Sequence, residues 1–183
     1  EDEVCNEVFD HFKHAPDRHE LTSQQRDAVK TSVTSAVSCI IGGAGTGKTT
    51  ILNATIGAYV KLGFIIKPMA LSGRAAMRLS ESIDMNTSTI AKFVRESPVE
   101  DDASKHIVVI DEASMLDLPT MYRIVTHIDP SVRILFVGDP NQLPPIGAGN
   151  ILADIVNSGV ISNSKLDIVQ RQCATTGIPE YSK

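Results

Sequence analysis

Eight consecutive residues, Gly42-Gly43-Ala44-Gly45-Thr46-Gly47-Lys48-Thr49, fit the pattern GxxxxGK[ST] at every fixed position. Glycines accept positive φ angles, so successive backbone N–H groups can turn toward one anion. A helix beginning at the end of such a loop adds the positive end of its dipole. In this pattern Lys48 reaches the β- and γ-phosphates of a nucleotide and Thr49 ligates Mg2+. The segment from Gly42 through Thr50 is therefore a candidate ATP-binding loop.

That loop needs a carboxylate from the end of another buried strand. His106-Ile-Val-Val-Ile110-Asp111-Glu112 supplies one 63 residues after Lys48. Asp111 is placed to hold Mg2+ through water, and Glu112 to polarise an attacking water as general base. A third apolar run leads into Gly138-Asp139-Pro-Asn-Gln142-Leu-Pro-Pro145. There Gln142 is in reach of a γ-phosphate, although the residues alone equally describe a rigid loop. An acid pair opposite a phosphate loop points to hydrolysis, not to nucleotide binding alone.

The elements that must position these groups alternate. Residues 3–13 place Val4, Val8, Phe9 and Phe12 at helical spacing, and the segment His14-Ala-Pro-Asp17 breaks that helix. A second helix starts with Thr22 or Ser23 as its N-cap and turns Ala28, Val29 and Val33 inward. Strands follow at 36–41, 64–70, 106–110, 133–137 and 166–169, with helices at 49–62, 73–82, 118–128 and 151–158. Residues 96–105 (ESPVEDDASK) read as a solvated surface loop. Short apolar strands separated by helices predict an α/β fold: a mostly parallel sheet with helices on both faces and ligands beyond the strands' carboxyl ends.

The chain of 183 residues is the size of one compact domain. Residues 1–20 hold seven acids against Lys13 and Arg18, while the other 163 residues hold 15 acids and 15 basic residues. All the net charge thus sits in an acidic N-terminal helical segment and linker, residues 1–20, with the domain proper at 21–183. A neutral body argues against gripping duplex DNA by a broad basic face and leaves room for a narrow single-strand groove. Cys5, Cys39 and Cys173 form no CxxC and the histidines show no ligand spacing, so reduced thiols and no zinc are expected. No apolar run nears the ~18–20 residues of a membrane span, so a cytoplasmic protein with no membrane partner is expected. The acidic start EDEVCNEVFD lacks an initiator Met and reads as a fragment's beginning, not a signal peptide.

From about Leu21 to Thr176 the chain resembles the RecD family of superfamily 1 helicases, which includes the exodeoxyribonuclease V alpha subunit. LTSQQRDAV resembles the Q motif, GGAGTGKTT motif I and ALSGRAAMRLSE motif Ia, with Leu71-Ser72 where Pro-Thr is usual. TSTIAKFV resembles a Thr-Thr-Ile-His segment with Ala91 in place of the His. VVIDEASMLD resembles motif II, VGDPNQLPPIGAGNIL motif III and LDIVQRQ motif IV.

The resemblance implies a RecA-like P-loop NTPase fold, with ATP and Mg2+ as ligands. It implies that Gln25 reads adenine, Gln142 senses the γ-phosphate and Arg171 contacts it. By residue type alone Gln25 would be a helix-surface amide and Arg171 a surface cation. It further implies single-stranded DNA at Ser72, Gly73, Arg74 and Thr89, where Arg74 and Arg78 equally fit a solvated helix face.

Movement from 5′ to 3′ is likewise implied, as is a second RecA-like domain whose motifs the chain does not contain. The expected activity is thus that of the first motor domain of an ATP-dependent DNA helicase, the fragment alone binding ATP with little or no unwinding. Other subunits of a nuclease-helicase or conjugation complex are the further partners this implies. The alternatives are the helicase part of a conjugative relaxase, or a vestigial RecA-like module serving DNA or protein interaction. A P-loop kinase or AAA+ ATPase fits less well with Gln142-Leu-Pro-Pro and Arg171-Gln172.

Overall fold

The computed structural model describes residues 1–14, 20–43, 45–96 and 103–166. Two helices lead, α1 (Asp2–His14) and α2 (Ser23–Thr34). Strands and helices then alternate: β1 (Val37–Gly42), α3 (Lys48–Lys61), β2 (Ile65–Ala70), α4 (Gly73–Ile83), β3 (Ser88–Thr89) and α5 (Ile90–Phe93). After them come β4 (His106–Ile110), α6 (Leu118–His127), β5 (Arg133–Gly138), α7 (Ile151–Ser158) and β6 (Ser162–Leu166). Among the described residues six strands form one sheet in the order β3-β2-β4-β5-β1-β6, and every pairing is parallel.

The central strands are apolar throughout because both faces of the sheet are covered. All five residues of β4 are buried. Successive side chains go to opposite layers. Ile40, Ile107, Val109, Leu135 and Val137 pack with Val29, Ile51 and Tyr59 of α2 and α3. Cys39, Ile41, Val108, Ile110 and Phe136 pack with Phe93, Ile124 and Leu152 of α5, α6 and α7. Each large aliphatic side chain buried this fully contributes on the order of 1.5–3 kcal/mol.

Helix α1 belongs to the first layer, with Cys5, Val8, Phe9 and Phe12 buried in the same core. Surface pairs Lys61–Glu7 (2.6 Å) and Lys30–Asp2 (3.1 Å) hold its acidic face toward α3 and α2.

Of the expected last strand, 166–169, the described residues include Leu166 alone, and it lies in a strand that begins earlier. The strand runs Ser162–Leu166 along β1, and 167–169 lie outside the described residues. Its polar sequence Ser-Asn-Ser-Lys-Leu hides it, because an edge strand facing water needs no apolar run. Ser88–Thr89 and α5 on the opposite edge also escape a reading by hydrophobic pattern. Within the expected loop 96–105, Ala103–Lys105 form a 3-10 turn, and 97–102 lie outside the described residues. Among the described residues no helix is long and apolar enough to cross a membrane.

Candidate active site

Strand order does the first part of the positioning. β4, β5 and β1 are neighbours, paired Ile110 with Phe136 and Ile41 with Gly138, so their carboxyl ends are level. Asp111, Asp139 and the glycine loop therefore emerge side by side. Close packing keeps them there. A Cβ on Gly138 would lie 2.8 Å from Leu152 Cδ2 and 3.1 Å from the Ser114 backbone nitrogen, so the turn after β4 rests directly on β5. Glu112, two residues past β4, lies in the left-handed region at φ 53°, a conformation costing a non-glycine residue of order 1–3 kcal/mol.

Helix α3 differs from its neighbours at its start. A side chain caps each of α2, α4, α5, α6 and α7: Thr22, Ser72, Thr89, Asp117 and Asn150 respectively. The N-cap of α3 is Gly47, φ 85°, with no side chain to accept from the first-turn amides. Those donors point into the space beyond β1, where an anion would satisfy them.

Lys48 stands at that opening and donates to the carbonyls of Gly42 (2.5 Å) and Gly43 (2.8 Å). Burial pushes its pKa below the usual lysine range, opposed by the charges of Asp139 and then Asp111. Burial pushes the Asp111 carboxyl above the usual aspartate range, opposed by the Glu112 backbone N–H and reinforced by the Glu112 charge. A cation and an acid each drawn toward neutrality are short of opposite charge, which phosphates and a divalent cation would supply.

A cleft of roughly 190 Å3 brings together Lys48, Thr49, Asp111, Glu112 and Gln142 of the expected residues. Thr46 is buried and closes the loop by donating to the Gly43 carbonyl (2.9 Å). Glu112 accepts from Arg78 at 2.8 Å. Ala44 and Arg171 lie outside the described residues.

Gln25 is 3% exposed, a correction to the surface amide its type alone suggests. The cause is a capping box. Thr22 Oγ1 accepts from the Gln25 N–H (3.2 Å) while Gln25 Oε1 accepts from the Thr22 N–H (3.0 Å), which turns the amide inward. A Cβ on Gly47 would lie 2.7 Å from Gln25 Nε2, so Gln25 packs against the loop itself.

Ser72, Gly73 and Arg74 are exposed at the start of α4, and Thr89 caps α5. Ala70 pairs with Thr89, so the two helix starts sit side by side at the sheet edge.

Asp139 is the functional candidate that sequence reasoning passed over. It is 8% exposed, lines the same cleft, and closes the turn that carries Gln142. Its Oδ1 accepts from Asn141 N–H (3.0 Å) and its carbonyl from Gln142 N–H (3.0 Å). The signal was present: like Asp111, it follows an apolar strand without interruption except for one glycine.

Residues 20–183 match the family described as AAA domain. The RecBCD enzyme subunit RecD of Haemophilus influenzae is 30% identical over a 179-residue alignment covering 78% of this chain and 27% of that protein. The ATP-dependent RecD2 DNA helicase of Deinococcus radiodurans is 32% identical over 145 residues, covering 76% of this chain and 20% of that protein. The chain therefore spans less than a third of the length of these curated relatives. The crystal structure of the Pif1 helicase from Candida albicans superposes with a TM-score of 0.60 at 20% identity, over 83% of this chain and 41% of that one, a likeness of fold. Both named relatives carry RecD or RecD2 in their names, the group that the motifs resemble.

Proposed function

The chain belongs to the AAA-domain family, and on that premise we propose that it is the ATP-binding first motor domain of a DNA helicase. In this reading ATP hydrolysis is coupled to movement along single-stranded DNA and to duplex unwinding. One observation carries it: an uncapped helix N-terminus, Lys48, Thr49, Asp111, Glu112 and Gln142 converge on a single cleft at the sheet's carboxyl edge. Residues 21–183 are the RecA-like domain and 1–20 an acidic lead-in. A second RecA-like domain closes the cleft from the other side.

The loop amides of residues 43–50 and Lys48 bind the phosphates, and Gln25 offers Nε2 to adenine. The Thr49 hydroxyl and the Asp111 carboxylate are hard oxygen donors that fit Mg2+. Bound there, the ion would neutralise charge between the β- and γ-phosphates. Glu112 takes a proton from the attacking water while its oxygen adds to the γ-phosphorus and ADP leaves. Gln142 senses the γ-phosphate, and Arg171 stabilises the charge developing there. Ser72, Gly73, Arg74 and Thr89 hold strand phosphates without reading sequence. Resemblance to the RecD family supports 5′ to 3′ movement, and buried thiols Cys5 and Cys39 accord with a cytoplasmic setting.

The test is steady-state MgATP hydrolysis by the full-length protein with and without single-stranded DNA. Stimulation by DNA that Glu112→Gln reduces about 10^2- to 10^4-fold is expected. Nucleotide binding with no hydrolysis under either condition would leave an interaction module in place of a motor.

A further inference from the structure

Glu112 is not a free carboxylate. Its Oε1 accepts from Arg78 Nη2 at 2.8 Å, and both partners meet water, with side chains 63% (Arg78) and 35% (Glu112) exposed. Arg78 comes from α4, whose other face is locked into the fold by Ala75, Ala76, Leu79 and Ile83. Four residues earlier on the same exposed face lies Arg74, which makes no ion pair among the described residues. Ser72 and Gly73 open the helix beside Thr89 on the neighbouring strand.

Two demands meet on this one side chain. While Arg78 holds Oε1, the carboxylate is tied toward α4 and only Oε2 is left to accept a proton from water. The same guanidinium fork fits a phosphodiester as well as it fits a carboxylate. An ion pair this exposed is weakly held. A strand phosphate at the first turn of α4 lies one helical turn away, about 6 Å along the surface, and competes for it.

We infer that Arg78 is a clasp on Glu112 that single-stranded DNA opens: a backbone phosphate seated at Ser72 and Arg74 draws the guanidinium away and releases the base. The inference rests on the proposed function and adds to it the link by which DNA accelerates hydrolysis. It makes the ion pair a restraint on the site, not a support for it.

The experiment measures MgATP hydrolysis by the full-length protein with and without oligothymidylate, for the wild type, Arg78→Ala and Arg78→Lys. Arg78→Ala raises the DNA-free rate about two- to fivefold, shrinks the stimulation by the same factor and leaves KM for ATP unchanged. Arg78→Lys keeps most of the restraint. Thermal midpoints within about 2 °C of the wild type show that the variants are folded.

A DNA-free rate that falls in Arg78→Ala would mean the arginine positions the base, and would overturn the clasp. An unchanged DNA-free rate with weaker DNA binding would make Arg78 a plain strand contact, and would overturn it equally. Failure of the underlying function is read from the wild type alone. If DNA gives no stimulation there, the motor and the clasp fall together.

Discussion

Arg133 and Lys48 are cations at opposite ends of neighbouring strands, one opening β5 and the other following β1. Arg133 is tied to several elements at once. It donates to the Val33 carbonyl, lies 4.8 Å from the Phe64 ring and 5.9 Å from Tyr59, and has Glu1 at 3.8 Å. Among the described residues Lys48 has two carbonyls of its own loop and two acids that act from a distance. The first set of partners comes from the packed core and from other elements of the fold. The second is replaceable, and a phosphate makes a better partner than a carbonyl. The difference separates a cation that joins elements from one held ready for a ligand.

Three substitutions test that distinction. Lys48→Ala should have the largest consequence, a fall in hydrolysis of about 10^2- to 10^3-fold, with the thermal midpoint moving by less than about 2 °C. Arg133→Ala should do the reverse. Losing a charged hydrogen bond and the ring contacts costs about 2–3 kcal/mol, lowering the midpoint by roughly 5–10 °C, while nucleotide affinity at low temperature stays within about twofold. Equal losses of stability in both variants would erase the contrast.

The smallest effect runs in the opposite direction. Asp111 has its pKa raised in the fold, so its contribution to stability is full below the ordinary aspartate range and is lost as pH rises through the raised value. At neutral pH its charge weakens the ligand-free domain. Asp111→Asn should therefore raise the midpoint by about 2 °C near pH 7, with the gap closing toward acid pH. A gap that widens in acid would show that some other group dominates there.

Much of the cleft was legible from spacing, because a phosphate loop and the acid ending VVI are constrained locally. Strand, loop and helix follow one another within a few residues, so the covalent chain nearly dictates their geometry. Asp139 was harder to weigh, since its importance depends on β5 lying between β4 and β1, which only the sheet order reveals. Gln25 was misjudged by type because its burial follows from a reciprocal cap with Thr22 and from a glycine 22 residues later. Edge strands were illegible for a different reason. Ser88–Thr89 and Ser162–Leu166 bury little, so hydrophobic pattern carries no trace of them. Arg78 could be read as solvated or as a strand contact, and its meeting with Glu112 is visible only once β2, which leads into α4, is paired with β4.

The strand order also has a bearing on how the molecule is made. Of the six strands β1 is the first to leave the ribosome, yet its partners are β5 and β6, at residues 133–138 and 162–166. β2, β3 and β4 can associate as soon as each appears, giving an early patch that lacks the oldest strand. β5 then joins this patch to β1, and β6 covers the remaining edge. Contacts so distant along the chain are slow to form. The glycine loop thus exists as a stretch of peptide until residues 133–138 have been made and becomes a binding site only afterwards, so a nascent chain cannot be stabilised by ATP until β5 has been delivered.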